Sequence, residues 1–231
     1  MAVADFTADL MKEGCYTNSH HLDNQVINKI FNDWTMPITE IALLLAAYLL
    51  GSISSAVIVC RVMGITDPRN SGSRNPGATN VLRIGGRKAG ILTFAGDLSK
   101  GILPVLVANM LEFSVLWTSA IVVAVFLGHC LPLFFSFVGG KGVATVFGAV
   151  TTMNWQIGLV LLVVWVLVFF IFRIASLSGV ISALVLPVAS WVLSPEIVLP
   201  MIIMSLLLIW RHQHNIKNLL TGKEYQFKKN D

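Results

Sequence analysis

IGLVLLVVWVLVFFIF, residues 157–172, decides the architecture, because it holds no Asp, Glu, Lys or Arg. An apolar run approaching 20 residues reads as a transmembrane helix. Similar runs cover residues 38–63, 89–110, 117–137, 142–153, 175–193 and 197–210. The run at 142–153 is short and implies a tilted or partly re-entrant span. Composition agrees: 55% of the 231 residues are hydrophobic, only 12% are charged, and the mean hydropathy is +0.77. A soluble domain carries about 25% charged residues. The reading is an all-α, polytopic membrane protein with seven transmembrane helices in one domain, residues 37–231. A polar extension, residues 1–36, precedes it and lacks the apolar core of a signal peptide.

Seven spans put the termini on opposite sides. The net charge of +4 is unevenly distributed. Arg61, Arg69, Arg74, Arg83, Arg87 and Lys88 follow the first span, Lys141 the third and Arg173 the fifth. Arg211, Lys217, Lys223, Lys228 and Lys229 follow the seventh. The short loops on the other side carry Glu112 and Glu196 but no Lys or Arg. Positive charge marks the cytoplasmic side. The N-terminus is therefore expected outside and the C-terminus in the cytoplasm.

With that orientation, three polar clusters fall on one face. The first is SGSRNPGATNVLR, residues 71–83. Gly72 and Gly77 permit sharp turns. Ser71, Ser73, Asn75, Thr79 and Asn80 supply hydroxyls and amides, and Arg83 a bidentate cation. Backbone amides curled in this way form anion-binding concavities. A solvated inter-helix loop is the bland alternative. The second cluster is GGKG, residues 139–142, in which Gly140, Lys141 and Gly142 precede a helix start that attracts phosphate. It lacks the Ser or Thr of a Walker loop. The third is RHQHN, residues 211–215, with His212 able to exchange a proton near neutral pH. A solvated basic helix end explains it equally well. Asp97 and Lys100 share a helix face and read as an ion pair that also suits the floor of a polar site. His129 reads as a packed, hydrogen-bonded residue, Cys60 and Cys130 as packing residues, and Ser176 as a helix cap or a pocket hydroxyl. No metal-ligand spacing appears.

Together these motifs resemble the bacterial acyl-phosphate:glycerol-3-phosphate acyltransferases. SGSRNPGATNVLR, GGKGVAT (139–145) and RHQHNIKNLL (211–220) carry the resemblance. GSISS (51–55), GHCLP (128–132) and SLSG (176–179) support it, and the resemblance covers about residues 41–224. It implies transfer of a fatty acyl group from acyl phosphate to the 1-hydroxyl of glycerol 3-phosphate, at the cytoplasmic face of the bacterial inner membrane. The product would be lysophosphatidic acid, made by a monomer without cofactor or metal. Carried over by position, Ser71, Gly72, Ser73, Asn75, Gly77, Thr79 and Asn80 would cradle the donor phosphate. Arg83 and Lys141 would bind substrate phosphate, with Gly140 and Gly142 beside them. His212 and Asn215 would complete the site, and Ser176 would touch glycerol 3-phosphate. Arg74 stands where this resemblance often has glycine.

An acyl phosphate has a good leaving group, so direct attack by the glycerol hydroxyl needs only proximity and charge stabilisation. The base is His212 or a donor phosphate oxygen. The competing class is a transporter of an organic phosphate anion, which intramembrane Asp97 and Lys100 would suit. No internal repeat favours it.

Overall fold

The computed structural model describes residues 38–227. The extension read over residues 1–36 lies outside the described residues. Every regular element described is helical. We label them α1 (Ile38–Gly51), α2 (Ser55–Val62), α3 (Ala78–Met110), α4 (Val115–Cys130), α5 (Val143–Met153), α6 (Trp155–Phe172), α7 (Ala175–Leu193), α8 (Val198–Arg211) and α9 (Gln213–Leu220). Short 3-10 turns at Leu133–Phe135 and Pro195–Ile197 join α4 to α5 and α7 to α8.

Four helical stretches are long and apolar enough to cross a membrane, or up to six if each bent pair is one span. The pairs are α1 with α2, bent by 41°, and the segment ending in α8 with α9, bent by 60°. The apolar α5 has 11 residues, about 16 Å of helix, roughly half the bilayer core. Large aliphatic and aromatic side chains face outward, among them Leu159, Val163, Leu167 and Phe170 of α6. Such a surface is stable only against lipid or another apolar partner.

Two boundaries differ from the sequence expectation. Residues 78–83, read within a polar loop, already form the first turns of α3. That helix breaks at Gly86, whose φ of 78° departs from helical geometry, and continues as the expected span. The first span is interrupted at residues 52–54. Buried Lys100 repairs this interruption: its Nζ donates to the Ile53 carbonyl at 3.0 Å and pairs with Asp97 Oδ1 at 3.0 Å. The intramembrane ion pair is thus also a structural tie.

The core gathers around Ile121, Val125 and Phe126 of α4, with Val146, Val150, Ile157, Leu186 and Met204 from the helices around it. Cys60 and Cys130 are free and buried, as packing residues should be. α3 and α5 approach closely because Gly101 faces the Thr145 backbone. A Cβ at Gly101 would lie 2.1 Å from the Thr145 carbonyl oxygen. Small residues at such crossings let backbones meet where no hydrophobic driving force separates helix from lipid. Gly101→Leu is expected to force the helices apart and cost about 1–3 kcal/mol. A lowered unfolding temperature of the detergent-solubilised protein would show it; an unchanged one would contradict the packing argument.

Candidate active site

Helix ends, more than side chains, build the site. α3, α5 and α7 all begin at one pocket, with Gly77, Gly142 and Ile174 as their N-caps. None of the three caps donates or accepts through a side chain. First-turn residues of each helix line the pocket: Ala78 and Thr79, Val143 and Ala144, Ala175 and Ser176. Two helices that begin at the other end, α4 and α6, behave differently, while α8 follows the 3-10 turn at Pro195–Ile197 without a side-chain cap. Ser114 caps α4 by accepting from Trp117 N, and Asn154 caps α6 by accepting from Gln156 N and Ile157 N. An uncapped helix N-terminus has orphan N–H groups and about half a positive charge. Three in one pocket make a strong anion site.

The pocket encloses about 320 Å³. All three polar clusters reach it. Ser73, Asn75, Gly77, Thr79, Asn80 and Arg83 come from the first, Lys141 and Gly142 from the second, His212 and Asn215 from the third. Ser176, Asp97 and His129 also line it. Ser71, Gly72 and Gly140 stand behind the lining. Ser71 and Gly72 shape the turn around Asn80, whose Oδ1 accepts from Ser73 N at 2.8 Å and whose Nδ2 donates to Pro68 O and Ser71 O, each at 3.0 Å. Asn80 therefore braces the loop with its whole side chain. Gly72 has a φ of 60°, and a Cβ there would lie 2.3 Å from Asn80 Oδ1.

Arg83 presents its guanidinium to the Tyr225 ring at 3.7 Å. Its Nε is buried without a hydrogen-bond partner among the described residues. A cation held by an aromatic face keeps its N–H edge for an anion. Lys141 is partly buried in the loop before α5. Burial pushes its ammonium down to about 8, Glu224 opposes the shift, and Arg83 and Arg211 add to it. His212 is 1% exposed, and its Nδ1 lies 2.8 Å from Leu208 O. A carbonyl only accepts, so Nδ1 carries the hydrogen, and in the neutral ring Nε2 holds a lone pair. His129 is buried, 3.3 Å from Thr145 Oγ1 and 3.6 Å from Asp97 Oδ1.

Sequence reasoning missed Glu224. Its Oε1 accepts from Ser176 Oγ at 2.7 Å and from Asn215 Nδ2 at 2.8 Å, joining two site residues. The tail that carries it folds back, with Phe227 N donating to Arg173 O at 2.9 Å. The available signal was a carboxylate set among the basic residues Lys217, Lys223, Lys228 and Lys229. Beyond the polar end the pocket continues along apolar side chains of α3, α6 and α7, including Phe94, Leu162, Trp165 and Leu186.

An uncapped helix-end site opening into an apolar groove suits a ligand that joins an anion to an apolar chain. Comparison with known proteins is specific. Residues 41–222 match the family model described as glycerol-3-phosphate acyltransferase. A glycerol-3-phosphate acyltransferase of Methylococcus capsulatus is 50% identical over 191 residues, covering 82% of this chain and 96% of that protein. One from Actinobacillus succinogenes is 48% identical over 189 residues, covering 82% and 94%. A crystal structure of PlsY (YgiH), an integral membrane glycerol 3-phosphate acyltransferase in its glycerol 3-phosphate form, superposes with a TM-score of 0.78 at 37% identity. It covers 82% of this chain and 96% of its own. The lysophosphatidic acid form gives 0.77 at 36% identity. The chain belongs to the glycerol-3-phosphate acyltransferase family and is a membrane protein.

Arg74, set where the resemblance often has glycine, adopts a φ of 58°. It is exposed and does not line the pocket. The left-handed region costs a non-glycine residue about 1–2 kcal/mol. Arg74→Gly should therefore leave turnover within about twofold, whereas Arg74→Val, β-branched, should destabilise the loop by at least about 1 kcal/mol. Turnover and thermal unfolding of the purified variants check both. Loss of activity in Arg74→Gly would assign the charge a role.

Proposed function

We propose that the chain transfers a fatty acyl group from acyl phosphate to the 1-hydroxyl of glycerol 3-phosphate. The glycerol oxygen attacks the acyl carbonyl carbon, the bond from that carbon to the phosphate oxygen breaks, and phosphate leaves. Lysophosphatidic acid remains in the membrane. The observation that carries this reading is the meeting of three uncapped helix N-termini with an apolar groove. The reaction needs that pairing, because its donor joins a phosphate directly to a lipid chain.

In this reading, the N-terminus of α3 with Ser73, Asn75, Gly77 and Thr79 cradles the donor phosphate. Ser71, Gly72 and Asn80 hold that loop in shape. Lys141 and Arg83 neutralise substrate phosphate at the starts of α5 and α3, with Gly140 and Gly142 presenting the lysine. Ser176, Asn215 and Glu224 position the glycerol hydroxyls. His212 Nε2 or a phosphate oxygen of the donor takes the hydroxyl proton. Preorganised dipoles of this kind stabilise developing charge without reorganisation.

The membrane arrangement proposed counts each bent pair as one span and adds α5, giving seven. The basic loops then place the site on the cytoplasmic side of the bacterial inner membrane, with the N-terminus outside. Cysteines introduced at Asn70 and Gln226 are expected to react with an impermeant thiol reagent only from the cytoplasmic side. Labelling from opposite sides would separate the motifs and end the single-site reading.

A donor comparison tests the chemistry. Acyl-CoA carries its phosphates far from its thioester, so a cradle for the leaving group cannot hold it in register. Purified protein should form lysophosphatidic acid from acyl phosphate, while palmitoyl-CoA should be a poor or inactive donor. Equal use of both would refute the cradle, and no product without a membrane gradient would favour a transporter.

The pH profile follows from Lys141. Its ammonium is charged below about pH 8 and is lost as pH rises through that value. Activity should therefore fall on the alkaline side near pH 8. Lys141→Arg, charged throughout, should move that limb upward, and Lys141→Ala should reduce turnover by about 2–4 kcal/mol. A profile unchanged in Lys141→Arg would remove Lys141 from the reaction.

A further inference from the structure

We infer that Arg211 is a positioning residue that pins the Gly139–Gly142 loop and so sets Lys141 against the phosphate of the acceptor. The inference rests on the acyltransferase reading and extends it to a residue outside the pocket lining. Arg211 closes α8, one position before His212. Its Nε donates to Gly140 O at 3.2 Å. Its Nη2 donates to Gly139 O at 3.1 Å and Gly140 O at 2.9 Å. The opposite side of the loop is held by α4, where Gly140 N donates to His129 O at 3.2 Å. The glycine pair is thus clamped between α4 and the end of α8, where Arg211 lies 72 residues beyond Gly139 in sequence.

Two consequences follow for Lys141. A loop of glycines has more conformations to lose than any other, so its order must come from outside. Three charge-assisted bonds from a planar fork supply that order, and a lysine offers one point donor in its place. The bonds also occupy the carbonyls of Gly139 and Gly140. Those oxygens would otherwise repel an anion beside the start of α5. Because Arg211 and His212 are adjacent, the same helix end that brings the imidazole to the pocket also fixes the ammonium. The two are held in one register.

The experiment compares purified wild type, Arg211→Gln and Arg211→Lys with acyl phosphate and glycerol 3-phosphate varied separately. Wild type without acyltransferase activity would overturn the functional reading itself, independently of Arg211. With wild type active, Arg211→Gln is expected to raise KM for glycerol 3-phosphate about tenfold or more, with KM for acyl phosphate little changed. Arg211→Lys should fall between the two.

A second readout separates positioning from general stability. Lys141 is faced by Glu224 of the tail, Arg83 of α3 and Arg211 and His212 of the α8 end. Removing one cation should move the alkaline limb of the pH profile upward in Arg211→Gln and leave it in place in Arg211→Lys. A fold defect alone lowers the active fraction at every pH and does not move the limb. Equal rises in KM for both substrates, or an unmoved limb in Arg211→Gln with KM unchanged, would overturn the inference. If Arg211→Gln does not fold, Arg211→Lys decides alone: an unchanged KM for glycerol 3-phosphate would refute the clamp.

Discussion

The structure depends on helix starts that are left without side-chain partners. Within a bilayer, backbone groups must find hydrogen bonds inside the protein or in a polar cavity. At one end of the bundle Ser114 and Asn154 satisfy their helices locally. At the other, Gly77, Gly142 and Ile174 do not, and their helices open on a common pocket. In the proposed reading, one anion would satisfy all three helix ends together. Arg83, Lys141 and the glycine turns gain their meaning from that arrangement, because point charges alone would not distinguish a tetrahedral oxyanion from a chloride.

Buried charge has a separate task. Lys100 could have been only half of an ion pair that neutralises itself in the membrane. Its bond to Ile53 O gives it a structural role, since the break between α1 and α2 leaves that carbonyl outside either helix. Asp97 then shares Lys100 with the pocket floor, near His129 and Thr145. The polar layer beneath the site is continuous with the joint in the first span. Charges in this position are costly, and each one is tied to backbone or to another charge.

Much of this was legible in the sequence, for identifiable reasons. Lipid-facing helices leave long uncharged runs such as residues 157–172, and glycine clusters mark turns. The three motifs could therefore be located and their convergence expected. Helix phase near a break could not be read. Residues 78–83 are polar enough to pass for loop, yet they are the uncapped start of α3. Asn80 reads as a ligand by its amide, but both of its polar atoms are spent on Ser73, Pro68 and Ser71. Glu224 has no periodic neighbour to announce it, and its place follows only from the path of the chain after α9. A tail is invisible to pattern reasoning when it is held by backbone bonds such as Phe227 N to Arg173 O.

That returning tail closes the pocket from a distant part of the chain. All nine described helices precede Thr221. The carboxylate that joins Ser176 to Asn215, and the ring against Arg83, come later. A chain that stopped at Leu220 would keep its helical sequence and its glycine loops but would lack the closing side of its pocket. The stretch after α9 thus completes a site whose other parts are spread from Ser73 to Asn215.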